Sequence, residues 1–112
     1  MVADDSHQTS YIRQKAKKGE IAISGHALEN MGLRKIWQDV AIEAIIYGDE
    51  IEIQNFKGKN IRVIFQEHSE EVPRFAVVVD VDHPEIVMVT VFNFKEDKFE
   101  YIESQKRWRR KK

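Results

Sequence analysis

The sequence predicts an α+β domain in which two to three N-terminal helices precede a four- to five-stranded antiparallel sheet. Apolar residues recur every three to four positions up to Gly48 and about every second position after it, a change from helical to strand periodicity. Two later segments, "RFAVVVDV" and "EIVMVTVFNF", are almost continuously apolar, as expected of central strands covered on both faces. Helices followed by a run of strands are typical of the α+β class.

Three helical segments are predicted before Gly48. The first, in "SHQTSYIRQKAKKGE", is largely polar and fits a surface helix. Ser24 caps the second, which spans about two turns and ends before the third, "WQDVAIEAIIYG". The second helix should direct inward Ala27, Leu28 and Met31. The third should bury Trp37, Val40, Ala41, Ala44 and Ile45. Strands are predicted in "EIEIQN", "NIRVIFQ" and "KFEYIE" as well, with turns at 57–60 and 82–85.

Length and composition indicate one cytoplasmic domain. With 112 residues the chain can bury one modest core. It contains no cysteine, which excludes disulfides and thiolate metal sites and fits a reducing compartment. No apolar run is long enough for a membrane span, and the acidic start "MVADDSHQTS" is unlike a secretory signal. We therefore expect a cytoplasmic protein with no membrane partner.

Basic charge is concentrated at the C-terminus. The last seven residues, "KRWRRKK", contain six of the 18 lysines and arginines, so residues 1–105 carry 12 basic against 19 acidic side chains. We expect a single α+β domain over 1–105 and a flexible basic tail over 106–112. Cations around an aromatic ring are typical of RNA binding. The RNA-binding candidates are therefore Lys106, Arg107, Trp108, Arg109 and Arg110. Alternatively, this end is merely solvated, or lies on the acidic body.

His26 is the main candidate for a catalytic residue. It falls near the second position of the helix that Ser24 caps, at the positive end of the helix dipole. A histidine that stays neutral there can act as a general base. Free N–H groups at a helix start also suit an anion, and Gly25 permits its close approach. The alternative is a structural histidine whose ring bonds a neighbouring backbone carbonyl.

Two arginines and a threonine are further candidates. Arg34 lies in the link after the second helix and either points at the same anion or caps that helix. Arg62 stands mid-strand and faces away from its apolar neighbours, where it either clamps a phosphate or is an ordinary solvent-facing residue. Thr90 is the one polar side chain in "IVMVTVF" and either lines a site or simply suits a strand.

These residue types limit the possible chemistry. The four histidines, at positions 7, 26, 68 and 83, have no metal-like spacing, and there is no glycine-rich phosphate loop. We therefore expect neither a metal nor a cofactor. One histidine, arginines and hydroxyl groups permit cleavage of RNA by its own 2′-OH, which needs a base, cationic donors on the phosphorane and an acid for the leaving oxygen.

The segment "SGHALENMGLRKIWQDVAIEAIIYGDEIE" resembles the opening of a family of small bacterial proteins classed as a domain of unknown function. The family signature is roughly S-x-H-A, then R-M, then R-x-I, then a helix ending in A-I-x-x-G. The matching residues here are Ser24, His26, Ala27, Met31, Arg34, Ile36, Val40, Ala44, Ile45 and Gly48. The paired strands in "FAVVVDVDHPEIVMVTVF" are similar too, with Thr90 at the family's threonine, and the resemblance covers about residues 20 to 95.

Members of that family are similar to RelE- and barnase-like toxins of toxin–antitoxin pairs. The resemblance implies their fold, with N-terminal helices before an antiparallel sheet. It also implies a metal-independent endoribonuclease toxin whose partners are RNA and a cognate antitoxin protein. In that interpretation His26 is the base or acid, Arg34 and Arg62 bind the scissile phosphate, and Thr90 lines the cleft.

Two departures from the family pattern bear on this interpretation. Asn30 stands where the family usually has an arginine, which removes a possible phosphate ligand. Trp37 stands where the third helix usually has a Ser or Thr cap, at a cost of about 1 kcal/mol.

Two other functions stay open. One is a non-enzymatic protein-binding module that uses strand edges or the acidic face. The other is a nucleic-acid-binding protein that acts through the basic tail alone.

Overall fold

The computed structural model describes residues 7–55, 61–82 and 85–112 and confirms the α+β class. The elements are α1 (His7–Lys17), β1 (Ala22–Ile23), α2 (Gly25–Arg34), α3 (Gln38–Tyr47), β2 (Glu50–Asn55), β3 (Ile61–Gln66), β4 (Phe75–Asp82), β5 (Glu85–Asn93), β6 (Phe99–Ile102) and β7 (Arg107–Arg110). The predicted turn at 57–60, and positions 83–84 of the predicted turn at 82–85, lie outside the described residues. Within the described ranges, no helix has the length and apolar content needed to cross a membrane.

The main sheet has five strands in the order β1-β5-β4-β3-β2, with β4 at its centre. Strands β2 to β5 pair antiparallel, but β1 runs parallel to β5, with Ala22 opposite Val87 and Ile23 opposite Met88. The sheet is therefore mixed, and the prediction of an antiparallel sheet is wrong for this strand. A two-residue strand is too short for its periodicity to reveal it. Strands β6 and β7 pair with each other in a second, two-stranded sheet.

One face of the main sheet packs against the helices and holds the larger core. The central strand contributes Val77, Val79 and Val81, all of them buried. The helices contribute Ile12, Ala16, Ala27, Met31, Ala41, Ala44 and Ile45. Removing this much apolar surface from water is the main force that holds the helices on the sheet.

The other face has a smaller core, to which the second sheet adds aromatic rings. The buried residues of that core are Ile64, Ala76 and Val78. Next to it, Phe94 stacks on Trp108 of β7, with ring centroids 4.6 Å apart and ring planes at 8°. Trp108 Nε1 also donates to the Pro73 carbonyl oxygen at 2.7 Å. Strand β4 is thus buried on both faces, as its continuous apolar run predicts.

Residues Arg107–Arg110 form strand β7, which replaces the expected flexible tail. Trp108 is buried, and the buried Gln66 of β3 holds the strand in place. Gln66 Nε2 donates to the Lys106 carbonyl oxygen at 2.8 Å, and its Oε1 accepts from the Trp108 N–H at 3.0 Å. The folded domain therefore continues past position 105. Burial of a large aromatic ring is the physical reason, since exposed Trp108 would leave its apolar surface in water.

Two predicted helix boundaries are confirmed, whereas two predicted core residues are exposed. Ser24 Oγ accepts the N–H of the residue three positions later, as an N-cap should. Gly48 ends α3 in a tight place, since a Cβ there would lie 2.1 Å from the Gln66 carbonyl oxygen. Leu28 and Trp37 were predicted to face the core but are 50% and 79% exposed. Trp37 precedes α3 in extended backbone, so the periodicity of the helix does not reach it.

Candidate functional site

Ser24 fixes the start of α2 against strand β5. Its Oγ donates to the Val89 carbonyl oxygen at 3.0 Å while it caps the helix, and its backbone N–H donates to the Met88 carbonyl oxygen at 3.0 Å. Strand β1 ends one residue earlier, at Ile23. The first turn of α2, which contains His26, is therefore held beside β5 where the pairing with β1 stops.

Asn30 connects His26 to Thr90 across the gap between α2 and β5. Its Nδ2 lies 3.0 Å from His26 Nε2 and 3.0 Å from the His26 carbonyl oxygen. The same nitrogen donates to Thr90 Oγ1 at 3.3 Å. The Thr90 hydroxyl donates in turn to the Val91 carbonyl oxygen at 3.3 Å, which leaves its oxygen free to accept from Asn30. Two of the four predicted catalytic residues are thus brought together by the residue that departs from the family pattern.

The Asn30 amide nitrogen has two hydrogens and three acceptors within reach, namely His26 Nε2, the His26 carbonyl oxygen and Thr90 Oγ1. When it donates to Nε2, the neutral ring carries its own hydrogen on Nδ1. The His26 carbonyl oxygen and the Thr90 hydroxyl both lie near Nδ2, which supports this orientation of the amide. Because His26 is exposed, Nδ1 can donate to an outside group, whereas Nε2 can act as a base only when Asn30 releases it.

A β-bulge brings Thr90 to this place. Val78 of β4 pairs with Thr90 and Val79 pairs with Met88, so Val89 is an extra residue in β5. A bulge bends its strand and changes the direction of the side chains next to it. The bulge therefore explains why the backbone of β5 contacts the start of α2 and the Thr90 hydroxyl contacts Asn30 of the same helix.

Arg34 lies on the same side of α2 as His26 and Asn30, since the three follow one another in steps of four residues. It is the last residue of α2 rather than part of the following link. The helical rise separates the backbones of His26 and Arg34 by about 12 Å along the axis. Arg34 therefore lies at a different part of the surface, where it lines two cavities together with Asn93.

Both of these cavities carry cationic side chains. The first has a volume of about 250 Å³ and is lined by Lys35, Arg74 and the exposed ring of Trp37 as well as Arg34. The second has a volume of about 290 Å³, and its other cations are Lys95, Lys98 and Arg110. Cationic side chains around small cavities are an arrangement that suits phosphate groups.

Arg62 is not brought together with the other predicted catalytic residues. It lies on β3, where its Nε is 3.9 Å from Oδ2 of Asp80 on β4. Thr90 is opposite Val78 on the far side of β4, so Arg62 lies two strands away from it. With strands about 4.8 Å apart, the Arg62 backbone is about 10 Å or more from that of Thr90. Arg62 is thus an ion-pair partner on the sheet face.

Most of the predicted C-terminal RNA-binding residues contact other parts of the domain. Arg107 donates to the Glu50 carbonyl oxygen, and Arg109 Nε lies 2.6 Å from Glu100 Oε1. Trp108 is buried between aromatic rings. Among these candidates, only Arg110 also lines one of the cavities beside Arg34. The interpretation of this end as lying on the acidic body describes these contacts better than a free tail does.

Arg110 is held in a fixed orientation by Glu52 of β2. Its Nε and Nη2 lie 3.0 Å and 3.1 Å from the two Glu52 carboxylate oxygens, and its guanidinium lies 4.9 Å from the centre of the Phe99 ring. Burial would raise the pKa of Glu52, but hydrogen bonds from Arg110 and Gln54 and the charge of Arg110 hold that pKa below its usual range. The pair ties β7 to the edge of the main sheet.

Only some of the residues of this site were predicted from the sequence. His26, Arg34 and Thr90 were predicted, whereas the cations at positions 74, 95 and 98 belong to no sequence motif and were not. Asn30 was considered only because it replaces the arginine of the family pattern. In the structure its amide donates a hydrogen bond to Thr90, sixty residues away in the chain. A hydrogen bond between such distant residues has no signal in local periodicity.

No protein-family model, curated protein or solved structure matches this chain. The family resemblance therefore rests on the sequence motif alone. In the described ranges, no group of three or more His, Asp or Glu side chains is arranged to hold a metal ion.

Proposed function

We propose that the protein is a metal-independent endoribonuclease in which His26 transfers the proton. The observation that carries the proposal is the His26–Asn30–Thr90 cluster at the exposed start of α2. A helix start offers backbone N–H groups to a phosphate, and Arg34 on the same helix leads into two cationic cavities. Together these supply a proton acceptor, phosphate ligands and a path for the RNA strand.

In the proposed reaction the RNA displaces Asn30 from the His26 ring. The 2′-OH gives its proton to Nε2 while its oxygen attacks the adjacent phosphorus. The bond from phosphorus to the 5′-oxygen breaks, and that oxygen takes a proton from water. The hydroxide left behind takes the proton from Nε2, which restores the neutral His26 ring. The products are a 2′,3′-cyclic phosphate and a 5′-hydroxyl. Asn30, still held by Thr90, then points its other amide N–H at a phosphate oxygen.

The acidic net charge of residues 1–105 does not prevent RNA binding, because the local potential decides where a strand approaches. Within the described residues, no ion pair involves Arg34, Lys35, Lys95 or Lys98. These four cations line the cavities at the far end of α2 from His26, whereas Arg109 and Arg110 are paired with glutamates. Positive charge without a carboxylate partner is thus present where the proposed RNA strand passes Arg34.

The test is RNA cleavage by purified protein, with His26→Ala as the disabling variant. We expect wild-type protein to release fragments that end in a 2′,3′-cyclic phosphate, also in the presence of EDTA. His26→Ala should lose at least about 100-fold in rate, the usual contribution of a general base. His68→Ala is the matched control, since His68 is exposed and lies beside Tyr47 away from α2. Equal rates for wild type and His26→Ala would refute the assignment.

The resemblance adds the proposal that this nuclease acts in the cytoplasm as a toxin, and that a cognate antitoxin protein binds and inhibits it. Growth arrest on expression, relieved by His26→Ala, would support that role. Harmless expression of a protein that cleaves RNA in the test tube would separate the nuclease from the toxin.

A protein-binding module is the second candidate, and the apolar surface around the α2–α3 junction favours it. Leu33 and Trp37 are 74% and 79% exposed there. Next to them lies a largely apolar cavity of about 490 Å³, lined by Met31, Ile36 and Trp37 among others. Exposed apolar groups of this kind often mark protein contacts. If this is the main function, a partner should co-purify with wild type, be lost with Trp37→Ala, and be retained with His26→Ala.

A further inference from the structure

The cavity between the end of α2 and strand β7 collects four cations from three separate parts of the chain. Arg34 comes from α2, Lys95 and Lys98 from the turn after β5, and Arg110 from β7. Glu52 pairs with Arg110, and the exposed acids Glu96 and Asp97 stand between the two lysines in the chain, but among the described residues no carboxylate lines the cavity itself. Arg34, Lys95 and Lys98 have no carboxylate partner among the ion pairs of the described residues, so an anion bound in the cavity can pair with them.

The backbone around this cavity holds the cations in place. The N–H groups of Lys98 and Phe99 both donate to the Lys95 carbonyl oxygen, at 3.1 Å and 2.9 Å, which closes the turn. The Lys111 N–H donates to the Lys98 carbonyl oxygen at 2.9 Å, which fastens the turn to the end of β7. These hydrogen bonds fix the backbone positions of both lysines, whose exposed side chains start from one turn.

Arg110 is preorganised to bind an anion. Glu52 occupies its Nε and one hydrogen of Nη2, so Nη1 remains available for a further acceptor. The guanidinium also lies over the Phe99 ring, which restricts its motion. A side chain that is already ordered loses less entropy when a ligand binds to it.

The other surface of the cavity is aromatic. Phe92 and Phe99 line it and stack on each other, with ring centroids 5.5 Å apart and ring planes at 27°. Phe99 is buried beneath the Arg110 guanidinium, so the partly exposed Phe92 is the ring that a ligand can reach. Asn93 adds an amide that can donate to or accept from a ligand. Cations beside one accessible aromatic ring, around a volume of about 290 Å³ that is at the small end of ligand sites, suit one phosphate together with one planar ring.

We propose that this cavity is a nucleotide subsite, which takes one phosphate and one base of a single RNA strand. That the cavity binds part of the substrate rests on the proposed nuclease function. That it binds a nucleotide does not. Arg34 lies about 12 Å along α2 from His26, so the bound nucleotide is about three residues of a stacked strand away from the cleaved phosphate. The subsite would position the strand and take no part in proton transfer.

The first experiment measures binding of 5′-UMP to the full chain by calorimetry at fixed low ionic strength. Uridine, inorganic phosphate and a short polyglutamate peptide are the comparison ligands. We expect UMP to bind and to compete with inorganic phosphate, and uridine to bind at least about 10-fold more weakly, since a charged phosphate contact contributes about a factor of ten. Inorganic phosphate that binds as tightly as UMP would show an anion site without a base subsite. Polyglutamate that binds as tightly as UMP would show an acidic-peptide site. Either result would overturn the proposal.

The second experiment uses single substitutions in the cavity. Lys98→Ala and Lys95→Ala should each weaken UMP binding about 10-fold and lower the salt dependence of RNA binding by about one phosphate contact. Lys17→Ala on α1 is the matched control, since Lys17 is exposed and lines neither of the two cavities. Unchanged UMP affinity in both cavity variants would also overturn the subsite.

The two proposals fail in different ways. His26→Ala should leave UMP binding unchanged, because His26 does not line this cavity. If UMP binds and RNA is never cleaved, the nuclease proposal fails and the nucleotide site stands. If wild type cleaves RNA but binds no UMP, and Lys98→Ala cleaves equally well, the subsite fails and the nuclease stands.

Discussion

Trp108 should contribute more to stability than any other residue of the basic C-terminal segment. Its ring is buried, stacks on Phe94 at 4.6 Å, and donates to the Pro73 carbonyl oxygen at 2.7 Å. Trp108→Ala removes the apolar burial and the stacking and leaves that carbonyl without its donor. Replacing a buried tryptophan by alanine costs about 3–5 kcal/mol, and the stacking and hydrogen bond place this site in the middle of that range.

The loss is large compared with the total stability expected of such a domain, which is about 5–15 kcal/mol. With an m-value of about 1.5 kcal/mol/M, a loss of about 4 kcal/mol lowers the urea midpoint by about 2.5 M. Urea unfolding followed by far-UV circular dichroism measures it. Trp108→Phe should lie between wild type and alanine, since the phenyl ring can still stack but has no N–H for Pro73.

Trp37→Ala is the matched control, because it deletes the same side chain at a site that is 79% exposed. We expect it to change the free energy of unfolding by less than about 0.5 kcal/mol. A loss of under about 1 kcal/mol for Trp108→Ala, or equal losses for both tryptophans, would show that β7 does not pack on the domain as described.

Three further substitutions test the C-terminal end of α3, the edge strand β2 and the candidate site. Gly48→Ala should cost about 3 kcal/mol or more in urea unfolding, since the new Cβ would lie 2.1 Å from a carbonyl oxygen of β3. The pKa of Glu52 is lower in the folded than in the unfolded protein. Ionised Glu52 therefore adds to the free energy of unfolding above the unfolded pKa, and this contribution is lost as pH falls through the folded pKa. Glu52→Gln should remove that acid-dependent loss, about 0.5–1 kcal/mol, as measured by urea unfolding between pH 7 and pH 3. Asn30→Arg should raise RNA cleavage about 10-fold in a gel assay, because it frees His26 Nε2 and adds a charged phosphate donor.

Each of these changes has a control. Gly32→Ala adds a Cβ where nothing lies within 4 Å, so this mid-helix change should stabilise the protein by up to about 1 kcal/mol. A Gly48→Ala protein as stable as wild type would contradict the tight contact. Glu43→Gln, at an exposed position of α3, should leave the pH dependence as in wild type. For the nuclease, Asn30→Ala frees Nε2 without adding charge, and a fall in rate with both Asn30 variants would show that the amide itself is needed.

Local pattern was enough for the start of α2, the end of α3 and the longer strands, including the central one. Ser24 caps α2 and Gly48 ends α3 as predicted, since capping and termination depend on backbone groups within a few residues. The continuous apolar run of β4 predicted burial on both faces, because each face takes alternate residues. The same reasoning placed His26 at the second position of a helix.

Contacts between distant residues decided the rest. The two residues of β1 pair parallel with β5, and β7 packs through Trp108, although neither segment has a periodic pattern long enough to read. Asn30 meets Thr90 because a bulge in β5 lies beside α2, and Arg62 meets Asp80 because β3 pairs with β4. The sequence by itself thus determined which of the longer segments are helix or strand, since helix and strand periodicity is a property of neighbouring residues. Only the tertiary structure decided which side chains share a site, since that depends on how the strands pair and which faces the core covers.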